Sequence, residues 1–377
     1  AMSGDPARVA KAAEALGKGF GEYGLVCLRG CDQFYASNDG KASTFKLYDQ
    51  YVELLKRPEQ EKRSWGGAHI WFQRGHTPPN TEVAVASGGK PDLKECYFAQ
   101  CGDGMDPRCK RWYPQVYAEN VWPDSADEFR ACYEEAGAAL HKIGVALLTL
   151  SEVALQVAPG AFTEKAAHAA HVTRVLNYIE LDDALAKRSA AGDINWGEEH
   201  TDMNLVTVLP GGAFYRSGER QAAGVAPEGG GAGLWLRTKP NCEHQYGRQV
   251  SGTPPPGCFI AQVGQQLEVL SGGAFIATPH LIAAPTVPGW SRCSMAHFVH
   301  LRGDALVAPV PGALGADPDA DSKYAPPVLA GTYVLKTLVD IGLAKPHELD
   351  KLGYRNYSLL AAAKDAERSR DTGCKLM

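Results

Sequence analysis

Three things are absent from this chain of 377 residues. It has no run of the roughly 18 to 20 apolar residues that a membrane-spanning helix needs. The longest candidate, "IGVALLTLSEVALQV" at 143–157, carries Ser151 and Glu152 at its centre. It has no block of Lys and Arg: 38 basic and 43 acidic residues leave a formal charge of −5, which argues against nucleic acid as a partner. It has no C-x-x-C pair. Its ten cysteines (27, 31, 96, 101, 109, 132, 242, 258, 293 and 374) are irregularly spaced in a chain large enough to fold without disulfides, so they are expected to be mostly reduced thiols. There is no internal repeat, and "AMSGDPARVAK" shows neither an apolar signal core nor an Arg-rich leader. A cytoplasmic location is the expectation, with Ala1-Met2 a remnant that a trimmed leader could precede. Cys374-Lys375-Leu376-Met377 fits the loose form of a prenylation box, a pattern that chance often produces.

What is present is ordinary globular composition, 45% hydrophobic and 21% charged, so a sizeable core is expected. "DPARVAKAAEALGKGFGEYGLVCLRGC" predicts an amphipathic helix ending near Gly21, then a short buried strand. "ASTFKLYDQYVELLKRPEQEKR" restores helical spacing through Phe45, Tyr48, Tyr51, Leu54 and Leu55, and Pro58 closes it. After a loop rich in Gly, Pro and aromatics, a Ser125 to Glu128 capping box and heptad-like spacing predict a spine helix of about 30 residues. Short β-rich runs follow: "HVTRVLNYIEL", "MNLVTVL", "GAFYRS", "AGLWLRT", "GCFIAQVG", "LEVLSGG", "AFIATPHLIAAPTV" and "RCSMAHFVHLRG". So many in succession indicate a jelly-roll barrel or sandwich rather than βαβ units. "PPVLAGTYVLKTLVDIG" and "NYSLLAAAKDAERSR" return to helix, and the Gly-rich stretch 217–233 reads as a loop between barrel strands. The expected class is mainly β with helical additions (α+β). The parts are a cap region 1–124, the spine helix 125–160, a β core 170–305 and a helical tail 306–377, integrated in one domain.

Residues two apart on a strand share a face, so His200 and Asp202 in "EEHTDMNLVTVL" project together. His280, in "GGAFIATPHLIAAP", offers a second imidazole. Two imidazoles and a carboxylate with open positions form the facial triad of non-haem Fe(II), although nitrogen and oxygen donors also suit Zn(II). A bare H-x-D arises often by chance, and a lone histidine in a β run is usually packed. The order of motifs carries the signal: downstream, "WSRCSMAHFVHL" puts Arg292 and Ser294 on one strand face. A guanidinium fork beside a hydroxyl is what holds the distal carboxylate of a small dicarboxylic acid.

On H-x-D, then H, then R-x-S, the chain resembles the isopenicillin N synthase-like branch of the Fe(II)/2-oxoglutarate-dependent oxygenases. "FGEYGLVCLRG", "RGHTPPNTE", "PDLKECYFAQ" and "YAENVWPD" are similar to family segments of the cap region, and "TRVLNYIE" to the strand with a cosubstrate-binding tyrosine. The resemblance implies a double-stranded β-helix core, Fe(II) on His200, Asp202 and His280, and 2-oxoglutarate on Arg292 and Ser294 with Tyr178 a further contact. It implies O2 as oxidant, ascorbate as an optional reductant, and oxidation of an unactivated C–H of a small metabolite by hydroxylation, desaturation or ring closure. The family's N-x-G-D reads Gln262-Val263-Gly264-Gln265 here, and its H-R-V reads His280-Leu281-Ile282, which weakens transfer of any particular substrate. Natural-product or amino-acid-derived metabolism is the expected setting.

Candidate substrate contacts are Arg74, His76, Trp71 and Phe72 from the cap loop, Asn204, Phe214 and Tyr215, with His168 and His171 before the Tyr178 strand. The last two, three apart, also admit a second metal site, against an exposed Ala-rich turn as the simpler account. His297 is expected on the face opposite Arg292. Two alternatives stay open at this point: an Fe(II) oxidase of the same family that consumes no 2-oxoglutarate, and a non-catalytic binding module on the same fold. A monomer is compatible with everything above; the oligomeric state is not set.

Overall fold

The computed structural model describes residues 5–36, 41–84, 90–222, 225–237, 249–252, 254–255 and 257–350. Its first helix, Pro6–Glu22, is capped by Asp5, whose side chain accepts the Ala7 amide at 3.0 Å, and Pro6 opens the first turn where a missing N–H costs nothing. That helix and Lys41–Leu54 both pack on the spine, Asp127–Ala154, which is 28 residues long. The expected Ser125 cap does not form. Ser125 has a φ of 54°, and Ala126 at the N-cap makes no side-chain bond, so the acidic first turn, Asp127 and Glu128, is left to complement the helix dipole. By length and composition the spine could cross a membrane, but Leu140, Ile143, Leu147 and Leu148 are buried in the core it shares with Val208 and Val299.

Two antiparallel sheets make the barrel. The larger runs Leu25–Leu28, Phe259–Val263, Val206–Leu209, Trp290–Val299, Val172–Tyr178, Lys94–Ala99, Gly75–Thr77, with Gly212–Arg216 added along the first half of Trp290–Val299. The smaller runs Gln249–Ser251, Gly233–Arg237, His280–Ala283, Gly197–His200. The larger sheet thus draws three strands from residues before the spine. Strand alternation sorts its side chains. Phe98, Leu176, Tyr178 and Ala296 meet Trp196, Ile282 and Ala284 between the sheets, while Val175, Met295 and Val299 turn to the helical core.

"LEVLSGG" is not a strand. Gln265–Leu270 is a helix burying Gln266, Leu267, Val269 and Leu270, a helical period that six residues are too few to reveal in the sequence. The tail gives the helix Ala330–Asp340, whereas "NYSLLAAAKDAERSR" and the Cys374 box lie outside the described residues. No disulfide joins any of the eight described cysteines.

Candidate metal centre

Sheet register brings the two imidazoles together. His200 and His280 are direct partners across neighbouring strands, with ring centroids 4.5 Å apart. Asp202 follows just past the strand end, its Oδ1 3.7 Å from His200 Nε2 and 3.8 Å from His280 Nε2. Each histidine gives its Nδ1–H to a main-chain carbonyl, His200 to Glu198 at 2.7 Å and His280 to Thr278 at 3.2 Å. That fixes the tautomer and leaves both Nε2 lone pairs facing the carboxylate. Asp202 Oδ2 is taken by the Thr207 hydroxyl at 2.6 Å, so Oδ1 is the oxygen left over. Burial by itself would raise the Asp202 carboxyl, but the two imidazoles and Thr207 hold it below its usual range, while burial and His200 push His280 down. The set is two imidazole nitrogens and one carboxylate oxygen, without thiolate, and fits Fe(II).

The loop under the site is tightly made. Asn204, read as a substrate contact, is buried at the cavity wall, and its Nδ2 donates to the Thr207 hydroxyl at 3.2 Å. It therefore steadies the hydroxyl that steadies Asp202. Gly264, the glycine kept from the N-x-G-D motif, allows the close approach behind this loop: a Cβ there would lie 2.0 Å from the Asn204 carbonyl oxygen.

A cavity of about 500 Å³ opens beside His200 and Asp202. Several expected contacts do not reach it. Arg74 is fully buried and ties its loop to the carbonyls of Gln73 (2.6 Å) and Val116 (3.2 Å), and burial lowers its pKa to about 10. His76 is buried beside Trp65 and Glu95, with its pKa lowered to about 4 by burial and Lys62. Tyr215 turns outward and donates to Asp49 at 2.8 Å, because its strand neighbour Phe214 takes the inward face against Trp196 and Trp290. Neither Trp71 nor Phe72 lines the cavity. Arg292, Ser294 and Tyr178 lie on the inner face of the larger sheet but beyond the cavity wall; Arg292 sits 5.4 Å over the Tyr178 ring, which stacks on Trp196.

Residues without an assigned role line it instead. Arg174 meets Glu82 through two nitrogens at 3.1 and 3.3 Å, and Lys94 pairs with Glu82 at 3.1 Å and with Asp92. Asp92 also accepts the Glu198 amide at 3.0 Å, fixing the strand that carries His200. Glu82, Asp92 and Lys94 belong to the "RGHTPPNTE" and "PDLKECYFAQ" segments, and Arg174 shares a strand face with Leu176 and Tyr178, so alternation could have found it. Phe98, Met203, Phe298, Val334 and Leu338 supply apolar wall.

A second group, Asp103, His141 and His171, also brings ligand-type atoms together. Asp103 Oδ1 is 3.3 Å from His171 Nε2 and 3.6 Å from His141 Nε2. Tautomers separate the two groups. His171 Nδ1 accepts the His300 amide at 3.2 Å, so its proton sits on Nε2 and faces Asp103. That tautomer favours an imidazole–carboxylate contact here over a metal ligand. His171 is buried, against the exposed turn expected from the sequence, whereas His168 is exposed. His297, on the face opposite Arg292, links His141 to Thr173.

No protein-family profile matches the chain. It is 24% identical over 316 residues to kihadalactone A synthase LFS of Citrus sinensis, covering 80% of this chain and 82% of that one. It is 26% identical over 269 residues to homoarginine-6-hydroxylase 2-ODD-C23.1 of Arabidopsis thaliana, covering 68% and 69%. Among solved structures, a 2OG-Fe(II) oxygenase family protein of Caulobacter crescentus superposes with a TM-score of 0.67 at 22% identity, covering 89% of this chain and 96% of that one. A Neurospora crassa protein solved at full length in complex with alpha-KG gives 0.66 at 17% identity, covering 90% and 93%. The structural likenesses establish a shared fold.

Proposed function

We infer that this chain, which belongs with the Fe(II)/2-oxoglutarate-dependent oxygenases, oxidises an unactivated C–H of a small metabolite with Fe(II) held by His200, Asp202 and His280. The outcome is hydroxylation, desaturation or oxidative ring closure, and the setting is natural-product or amino-acid-derived metabolism, in keeping with what its sequence relatives are named for. The observation that carries the reading is the oriented donor set: two Nε2 lone pairs and Asp202 Oδ1 converge, each imidazole aimed by a carbonyl behind it. When bound, Fe(II) with 2-oxoglutarate supplies the O2-dependent oxidation. The chain's own residues ligate, orient and exclude water. Arg292 and Ser294 are assigned to the distal carboxylate of 2-oxoglutarate, with Tyr178 as the ring beneath it. Their support is the shared inner face, the absence of any carboxylate partner for Arg292 among the described residues, and Gly212, where a Cβ would come within 2.7 Å of the guanidinium.

The test is turnover of a small-metabolite panel with purified protein, Fe(II) and 2-oxoglutarate, read by mass spectrometry alongside succinate. Succinate is expected to match product, with gain of one oxygen or loss of two hydrogens. Asp202→Ala is expected to abolish Fe(II) retention in equilibrium dialysis. Product without matching succinate would remove 2-oxoglutarate from the reaction, and unchanged Fe(II) binding by Asp202→Ala would remove the site.

A further inference from the structure

The inner face of the Trp290–Val299 strand presents Arg292, Ser294, Ala296 and Phe298, and the next residue on that face, His300, lines the cavity just past the strand end. The ring is buried, and its Nδ1 has no hydrogen-bond partner among the described residues. Burial, with His171 and Arg74 adding to it, lowers its pKa to about 3, so the imidazole is neutral and carries one N–H and one lone pair. The main chain beneath it is pinned: the His300 amide donates to His171 Nδ1 at 3.2 Å, His171 Nε2 faces Asp103 at 3.3 Å, and Asp103 Oδ2 accepts the His168 amide at 2.7 Å. An unpartnered polar ring held rigidly at a cavity wall is a recognition element in search of its partner.

The rest of the wall says what kind of partner. Its cations are matched within the protein, Arg174 and Lys94 by Glu82 and Asp92, and Asp340 pairs with Lys336. Phe98, Phe298, Val172, Met203, Val334 and Leu338 make the remaining surface largely apolar. A charged substrate would have to break one of those ion pairs to be neutralised, whereas an apolar one needs only a place for its polar group.

Building on the oxygenase reading above, we propose that His300 is the specificity-determining contact of this cavity, hydrogen-bonding a hydroxyl, carbonyl or amide on an uncharged and otherwise apolar substrate. It orients that substrate against the metal centre and discriminates against carboxylates and amines of the same size.

The test uses the protein loaded anaerobically with Fe(II) and 2-oxoglutarate. Equilibrium dialysis compares naphthalene, 1-naphthamide, 1-naphthoate and 1-naphthylmethylamine. The amide is expected to bind about tenfold more tightly than each of the others, the size of one buried hydrogen bond, and evenly from pH 6 to 9 because the ring stays neutral. His300→Leu should lose that preference and His300→Gln keep it, with the Fe(II)–2-oxoglutarate charge-transfer absorbance unchanged in both. Tightest binding of the naphthoate, equal binding of naphthalene and amide by the wild type, or an unchanged preference in His300→Leu would overturn the proposal. Equal binding of naphthalene and amide by the wild type overturns the proposal whether or not a variant folds. Absence of the charge-transfer band from the wild type would instead overturn the oxygenase reading beneath it.

Discussion

Thr207 does for Asp202 what main-chain carbonyls do for the two histidines. Its hydroxyl at 2.6 Å occupies Oδ2 and is itself held by the Asn204 amide, so the carboxylate has one rotamer and one free oxygen. Thr207→Val keeps the shape and removes the bond; Fe(II) affinity is expected to fall roughly 10- to 100-fold, measured by dialysis, with the melting temperature little changed. Glu82 makes a pH prediction. Burial would raise its carboxyl, but Arg174 and Lys94 hold it at about 2, below its ordinary 4.5. A depressed acid binds its proton later in the folded state than in the unfolded one. Its contribution is therefore complete above about pH 4.5 and is lost as pH falls towards 2. The size is roughly 3 kcal/mol, counted once although Lys94 is pushed up by the same pair. Urea midpoints at acid and neutral pH should show that slope in the wild type. Glu82→Gln should flatten it while lowering stability at neutral pH, because two buried cations lose a partner. His200, Asp202 and His280 were legible in the sequence because ligand chemistry restricts residue type. Thr207 and Glu82 were not, since a threonine in a strand and a glutamate in a loop have many ordinary uses.

Among the elements, the spine helix was legible from its spacing and the barrel strands from their alternation, but which side each strand shows was not. Phe214 and Tyr215 both look like site residues in the sequence; as strand neighbours only one could face inward, and pairing with Trp290–Val299 decides it. The spine itself is legible in part for the wrong reason, since Ser125 does not cap it. What holds the helix against the barrel is closeness. At Gly144 a Cβ would stand 2.4 Å from Val299 Cγ2, on the strand that also carries Arg292 and leads into His300. Gly144→Ala improves helix propensity by about 1 kcal/mol, yet the forced shift is expected to outweigh it, with a net loss of about 1 to 3 kcal/mol in denaturant unfolding. A stabilised variant would show that the helix and strand can separate at no cost.

At the scale of the whole molecule, the cavity is assembled from three distant parts of the chain: Gln73, Val116 and Tyr117 before the spine, the barrel with its triad, and Tyr333, Val334, Thr337 and Leu338 on the Ala330–Asp340 helix. No local pattern announces such a wall, because each contributor has its own structural reason to be apolar. The tail helix is locked in place where Gly331 lies under the Tyr113 ring, a Cβ there falling 2.2 Å from it, and where the Tyr333 hydroxyl donates to Gln265, whose own amide reaches Thr201 beside the metal ligands. One end of the cavity is therefore built by the tail and the other by the strand that carries His200, so a change at the tail leaves the triad in place. Thr337→Phe places a ring at the half-buried tail side without touching the triad or Arg292. The expected result is a KM for the primary substrate raised about tenfold or more, as overpacking of a pocket wall by one ring demands, while Fe(II)–2-oxoglutarate absorbance and substrate-free succinate formation stay at wild-type levels. If succinate formation without substrate falls in step with KM, the tail helix bears on the metal centre itself and the two functions are not separable in this fold.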